Sequence, residues 1–221
     1  MTKSSLFIGL LLIGAASTIG RPSTCRKDGQ RPGYYSRRGI ILCFQDIDSQ
    51  KRHLEIPSPD GSIILTVDGN EGTFKLNGKQ IGQSFSVPVD AEIIWSPDSQ
   101  FIINTMSLGG LGPVTAGISY VVPGRPEIPD VTIPIQKDFA AHHSGSPCTK
   151  KVNVGGLTWE KDSRTAVLLA EVPASSACGS LMGYFEAYEV SVPEGKILAR
   201  HDNRETIKRW RKVLTPQMLE K

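Results

Sequence analysis

Three stretches of this chain repeat one short pattern, an aspartate-centred turn followed at once by an apolar strand. They are Ser58-Pro59-Asp60-Gly61-Ser62-Ile63-Ile64, then Trp95-Ser96-Pro97-Asp98-Ser99-Gln100-Phe101-Ile102-Ile103, and a more degraded Trp159-Glu160-Lys161-Asp162-Ser163-Arg164-Thr165-Ala166-Val167. Proline presets φ for a turn, aspartate accepts hydrogen bonds from nearby backbone amides, and glycine or serine closes the turn. The tryptophan that precedes the second and third copies ends the strand before it and can pack between sheets. A chain built on such a pattern is constrained to short antiparallel strands.

The rest of the sequence agrees. Strands are expected at Gly39–Asp46, Ser62–Val67, Thr73–Leu76, Gln80–Val87, Ala91–Trp95, Phe101–Met106, Ile118–Val122, Val131–Ile135, Val152–Trp159, Thr165–Val172, Tyr184–Val192 and Lys196–Arg200. Asn77-Gly78 between two of them is a strong hairpin signal, because both residues tolerate the positive φ of a type I′ turn. The 22 glycines and 15 prolines are spread along the chain, as suits many short strands joined by turns. No run before residue 200 reads as a helix. After it, Asp202 can cap a helix over 203–214, with Glu205 three residues on as in a capping box. Ile207, Trp210 and Leu214 share one face of that helix, and Lys208, Arg209, Arg211 and Lys212 fall mostly on the other. The fold class is therefore all-β with a short C-terminal α-helix.

At the Trp95-Ser96-Pro97-Asp98-Ser99 turn above all, the sequence resembles the strand-turn-strand repeat of TolB-type β-propellers, a WD40-like family. The spacing from Asp60 to Asp98 is 38 residues, near the roughly 40–45 of one such blade. From Asp98 to Asp162 it is 64, and an insertion around Pro123–Cys148, with five prolines, accounts for the excess. The resemblance covers residues 44–200 and implies a β-propeller-like domain of about three four-stranded blades. Closed propellers typically have 4–8 blades. So the resemblance implies an open or irregular propeller, a ring completed by two chains, or, as the alternative, a β-sandwich.

The N-terminus reads as a secretory signal over residues 1–20. Lys3 supplies the positive charge, Leu6–Ala16 form an apolar run of 11 residues, and Ala15, Ala16, Ser17, Thr18 and Gly20 are small. A membrane span needs roughly 20 apolar residues, which makes an uncleaved anchor the lesser reading. Cleavage after Ser17 and after Gly20 both fit. The remaining 21–221 form a single domain, expected to work in the periplasm or outside the cell. Four cysteines, Cys25, Cys43, Cys148 and Cys178, suit that oxidising setting as two disulfides. Three pairings are open; short loops favour Cys25–Cys43 and Cys148–Cys178. None of the spacings makes a redox or zinc motif.

The net charge of +3 and the sparse aromatics give no nucleic-acid footprint. No nucleophile elbow, metalloprotease motif or phosphate loop is present. His142 and His143 are adjacent, and neighbouring residues on a strand point to opposite faces, so they read as exposed loop residues rather than metal ligands. His53 and His201 read as isolated. Asp68-Gly69-Asn70-Glu71-Gly72 lacks the spacing of a calcium loop and reads as a hairpin turn. No cofactor or metal is expected. The function expected is a non-catalytic binding or interaction module with a protein partner or a second copy of itself, with no membrane attachment once the leader is removed. A hydrolase or lyase with a propeller-face pocket is the alternative.

Overall fold

The computed structural model describes residues 30–32, 34–42, 53–87, 91–107 and 112–220. The leader, Cys25 and Cys43 lie outside the described residues. The strands, in chain order, are β1 (Gln30–Pro32), β2 (Ile40–Leu42), β3 (His53–Pro57), β4 (Ile63–Asp68), β5 (Glu71–Leu76), β6 (Lys79–Ser86), β7 (Ala91–Trp95), β8 (Phe101–Met106), β9 (Thr115–Tyr120), β10 (Asn153–Trp159), β11 (Thr165–Glu171), β12 (Phe185–Ser191) and β13 (Ile197–His201). The helices are α1 (Thr132–His142), α2 (Asn203–Trp210) and α3 (Pro216–Leu219).

Thirteen strands make three antiparallel sheets among the described residues. Blade 1 runs β3-β4-β5-β6 and blade 3 runs β10-β11-β12-β13, each as a plain meander. Blade 2 runs β1-β2-β7-β8-β9, so the N-terminal hairpin joins the edge of β7 after the chain has made blade 1. The chain is thus a propeller-like stack of three blades, which remains open.

The cores explain why some strands alternate and others do not. Blade 1 packs on blade 2 through Leu54, Ile56, Ile63, Leu65, Val67 and Phe74 against Ile93 and Ile102. Blade 2 packs on blade 3 through Ile94, Phe101 and Ile103 against Val154, Trp159 and Leu168. Residues 93 and 94, like 102 and 103, point to opposite faces of one sheet. Both faces of blade 2 are buried, so its central strands read as near-continuous apolar runs. Blade 3 is covered on both sides as well, because Val167, Leu169, Phe185 and Ala187 meet Trp210, Val213, Leu214 and Met218 from the C-terminal segment. β3 keeps a clean in-out pattern, with Leu54 and Ile56 buried and His53 and Glu55 exposed. The outer face of blade 1 is polar, as at the end of a repeat array.

Three expectations fail here. Val131–Ile135 is not a strand, and a helix does precede residue 200. The segment enters α1, where Thr132, Ile135 and Phe139 sit on one buried face. The Asp130 carboxylate accepts the Ile133 N–H at 2.9 Å, and Pro134 falls in the first turn, where a missing N–H costs nothing. Thr132 Oγ1 bonds both the N–H and the C=O of Ala116 in β9, which pins the helix to blade 2. The run from Pro123 to Cys148 lies between β9 and β10 and contains this helix. At the C-terminus, α2 stops at Trp210 rather than 214, because Val213 and Leu214 turn to pair with Arg37 and Ser36.

Close packing also assigns a reason to two glycines in β10. A Cβ on Gly155 would lie 2.3 Å from the Tyr35 ring, and one on Gly156 would lie 2.8 Å from Ile103. Gly155→Ala is therefore expected to destabilise the fold by roughly 1–3 kcal/mol through overpacking. Gly112→Ala, with open space around it, should stay within about 0.5 kcal/mol. Urea denaturation of the two variants checks this, and equal midpoints would contradict it.

Candidate functional site: the turn face

The three repeat turns are nearly superimposable in their bonding. In each, the first residue closes the turn on the strand that follows: Ser58 N–H to Ile63 O at 2.8 Å, Ser96 N–H to Phe101 O at 2.9 Å, and Glu160 N–H to Thr165 O at 2.9 Å. The aspartate then fastens the turn from inside. Asp60 accepts from Ser58 Oγ at 2.7 Å and Ser62 N–H at 3.0 Å. Asp98 accepts from Ser96 Oγ at 2.6 Å and Gln100 N–H at 3.1 Å. Asp162 accepts the Arg164 and Thr165 N–H groups at 2.8 and 3.0 Å. The third copy lacks the leading serine and the proline, yet the aspartate alone preserves the geometry.

The turns also bond to one another. The Asp60 N–H donates to Ser99 Oγ at 3.3 Å, and the Asp98 N–H donates to Ser163 Oγ at 3.1 Å. Each blade is thereby bonded to the next through the residue that closes its turn. That residue has a left-handed backbone in all three copies: φ is +71° at Gly61, +61° at Ser99 and +56° at Ser163. Glycine adopts such angles freely, whereas serine costs about 1–2 kcal/mol. Serine stands where a preceding blade offers an amide to its hydroxyl. Glycine stands on blade 1, the first in the stack.

A cleft of about 310 Å³ opens beside these turns, lined by Pro57 and Pro59 of blade 1, Trp95 and Pro97 of blade 2, Thr158 and Trp159 of blade 3, and Arg38 and Ile40 from the N-terminal hairpin. Trp159 is fixed by its indole N–H, which donates to the Ile94 carbonyl at 3.2 Å. The Arg38 guanidinium reaches Thr158 Oγ1 at 3.0 Å. Pro59, Pro97, Trp95 and Trp159 thus line one cleft, Trp159 from within the core, while Asp60, Gly61, Asp98 and Asp162 are exposed in the adjoining turns and Ser96, Ser99 and Ser163 are buried within them.

Two side-chain clusters escape a reading of the sequence. His142 and His143 do not lie in a loop; they finish α1, and His143 is mostly buried. Its Nε2 faces Glu186 Oε1 at 2.9 Å. The same buried carboxylate accepts from Tyr184 at 3.1 Å, from Tyr188 at 3.4 Å and from Arg200 at 3.1 and 3.2 Å. Burial, reinforced by the Glu186 charge, pushes the Tyr184 hydroxyl up to about 12. Every oxygen of Glu186 is engaged, so the cluster acts as a clasp between α1 and blade 3. The Cys148–Cys178 disulfide, the pairing favoured above, closes the same region with a Cα–Cα distance of 5.6 Å. His201 is likewise not isolated. It lies between Glu189 at 3.0 Å and Glu205 at 3.1 Å, and Arg209 joins Glu189 at 2.8 Å while stacking on Trp210. This second cluster fastens α2.

No group of His, Cys, Asp and Glu among the described residues could hold a metal ion. Among the described residues, no helix is long and apolar enough to cross a membrane.

No family model matches the chain, and no curated protein does. Among solved structures, one from Agrobacterium tumefaciens, assigned as a TolB, is similar at 13% identity with a TM-score of 0.36. The match covers 67% of this chain and 46% of that one, so the chain spans less than half the length of its structural neighbour. The likeness is too low to carry an argument; the three stacked sheets define the propeller-like class on their own.

The turn aspartates make a pH prediction. Hydrogen bonds from Ser58 and Ser62 hold the Asp60 carboxyl well below the usual carboxylate range, and those from Arg164 and Thr165 lower Asp162. A depressed folded-state value adds stability above the unfolded-state value of about 4. That stability is lost as pH falls from there. The Asp60→Asn, Asp162→Asn double variant should be less stable than the parent at pH 7, with the gap closing between about pH 4 and 2. Urea midpoints across that range measure it, and parallel curves would contradict it.

Proposed function

We propose that this protein is exported and works in the periplasm or outside the cell as a non-catalytic binding module, with the turn face as its contact surface. The observation that carries the reading is the placement of an aromatic, proline-lined cleft on the face where the repeat turns bond one blade to the next. Binding sites gain precision when built on a rigid frame. Apolar, aromatic lining with one or two placed polar groups is the usual make-up of such sites. The Cys148–Cys178 disulfide and the apolar leader support an oxidising compartment.

The test is a photoreactive amino acid placed at Pro97, with a control at Lys75 on the outer face of blade 1, in chains expressed with their own leader. The expected result is a processed protein of leader-free mass that cross-links one species, a protein partner or a second copy, from position 97 alone. An unprocessed chain held in the cytoplasm, or equal cross-linking from both positions, would overturn the proposal.

A further inference from the structure

The charges around the cleft narrow what it can hold. None of the ten residues lining it is acidic. The acids beside it are engaged elsewhere: Asp60 and Asp98 in their own turns by serine hydroxyls and amides, the buried Glu92 by the Tyr34 N–H at 3.1 Å, and Glu160 by the Trp210 indole N–H at 3.4 Å. Arg38 is exposed, and Thr158 engages only part of its five-donor guanidinium. Its neighbour Arg37 is docked on the C-terminal segment, with its N–H on Val213 O at 2.7 Å and its Nε on Leu214 O at 2.8 Å. This docking sets Arg37 on the same C-terminal segment that carries Arg211 and Lys212, which are also exposed. Among the described residues, none of these four cations pairs with a carboxylate, whereas Arg200 and Arg209 both do.

We infer that the cleft takes an acidic segment of a partner protein, with an apolar side chain held between Trp95, Trp159 and the prolines and a carboxylate on Arg38. This deepens the binding-module reading and rests on it. Guanidinium can bind a carboxylate with two parallel hydrogen bonds, which supplies direction as well as charge. Arg37, Arg211 and Lys212 extend the positive surface away from the cleft and steer an acidic chain towards it. A basic partner would meet uncompensated like charge at every one of these positions.

The experiment is a titration of the full mature chain with a blocked hexapeptide of alternating leucine and glutamate. It is followed by the three tryptophan indole signals in a nitrogen–proton correlation spectrum. Trp95 and Trp159 report the cleft; Trp210, the last residue of α2, is buried against the far face of blade 3 with its indole N–H on Glu160, outside the cleft lining, and serves as the internal reference. The glutamate peptide is expected to shift Trp95 and Trp159 but not Trp210. Binding should weaken at least tenfold in Arg38→Gln, recover in part in Arg38→Lys, and fail for the same peptide with lysine in place of glutamate. Arg38→Gln should still unfold in one cooperative transition, its urea midpoint lowered only slightly for the lost Thr158 bond, which separates lost binding from lost fold. If a glutamine version binds as tightly and Arg38→Gln is indifferent, the acidic assignment falls while the cleft remains a binding site. If no peptide moves Trp95 or Trp159 and position 97 cross-links nothing, both readings fall together.

Discussion

Two hydrogen bonds tie the blades together turn to turn, Asp60 N–H to Ser99 Oγ and Asp98 N–H to Ser163 Oγ, and between blades 2 and 3 the second acts beside those of Gly156 N–H to Thr105 Oγ1 and Trp159 to the Ile94 carbonyl. Apolar cores between sheets supply most of the attraction, yet burial is non-directional and tolerates sliding. A bond from a turn amide to a hydroxyl on the next turn fixes register. It requires the serine to hold a left-handed backbone and the aspartate to keep its own turn closed. Those two demands explain why the pattern recurs with Asp in every copy and with serine on blades 2 and 3. The cleft inherits its shape from the same bonds, because its walls are the residues flanking them.

Three blades are fewer than a closed propeller uses, so the exposed surfaces need other cover. The chain supplies it from its own ends. The N-terminal hairpin pairs with β7. The C-terminal helices bury the free face of blade 3 under Trp210, Leu214 and Met218, and the histidine and carboxylate cluster at His201 fastens them there. Blade 1 needs no such cap because the outer face of its strands is polar. This arrangement brings residues 36–38 against residues 213–214, which is how Arg38 comes to stand at the cleft.

Much of this was legible in the sequence because it is local. The turn at Trp95–Ser99 reads directly, since proline, aspartate and serine each have a short-range reason to be there, and Asp202 caps α2 as its spacing to Glu205 implies. What failed to read was set by distant contacts. Val131, Ile133 and Ile135 are residues that favour strands, but the helical spacing of Thr132, Ile135 and Phe139 decides the matter through burial against blades 2 and 3. The alternation of Leu54 and Ile56 with His53 and Glu55 spans only the five residues of β3, too short a run to stand out as a strand. The Glu186 partner of His143 and the Glu189 partner of His201 are 43 and 12 residues away, beyond any local pattern, whereas Glu205 is only four residues past His201. Nor does anything local bring Arg38 to Thr158, 120 residues on.

The direct measurement of the central claim is amide hydrogen exchange at Asp60 and Asp98. Amides in isolated exposed turns exchange through small local openings, whereas amides that lock one blade to the next should open only with the stack. The account predicts strong protection at both positions in the parent, and loss of protection at Asp98 alone in both Ser163→Ala and Ser163→Gly. The alanine variant should also be the less stable of the two, since it keeps the left-handed strain without the bond. Fast exchange at Asp60 and Asp98 in the parent, or protection unchanged when Ser163 loses its hydroxyl, would contradict it.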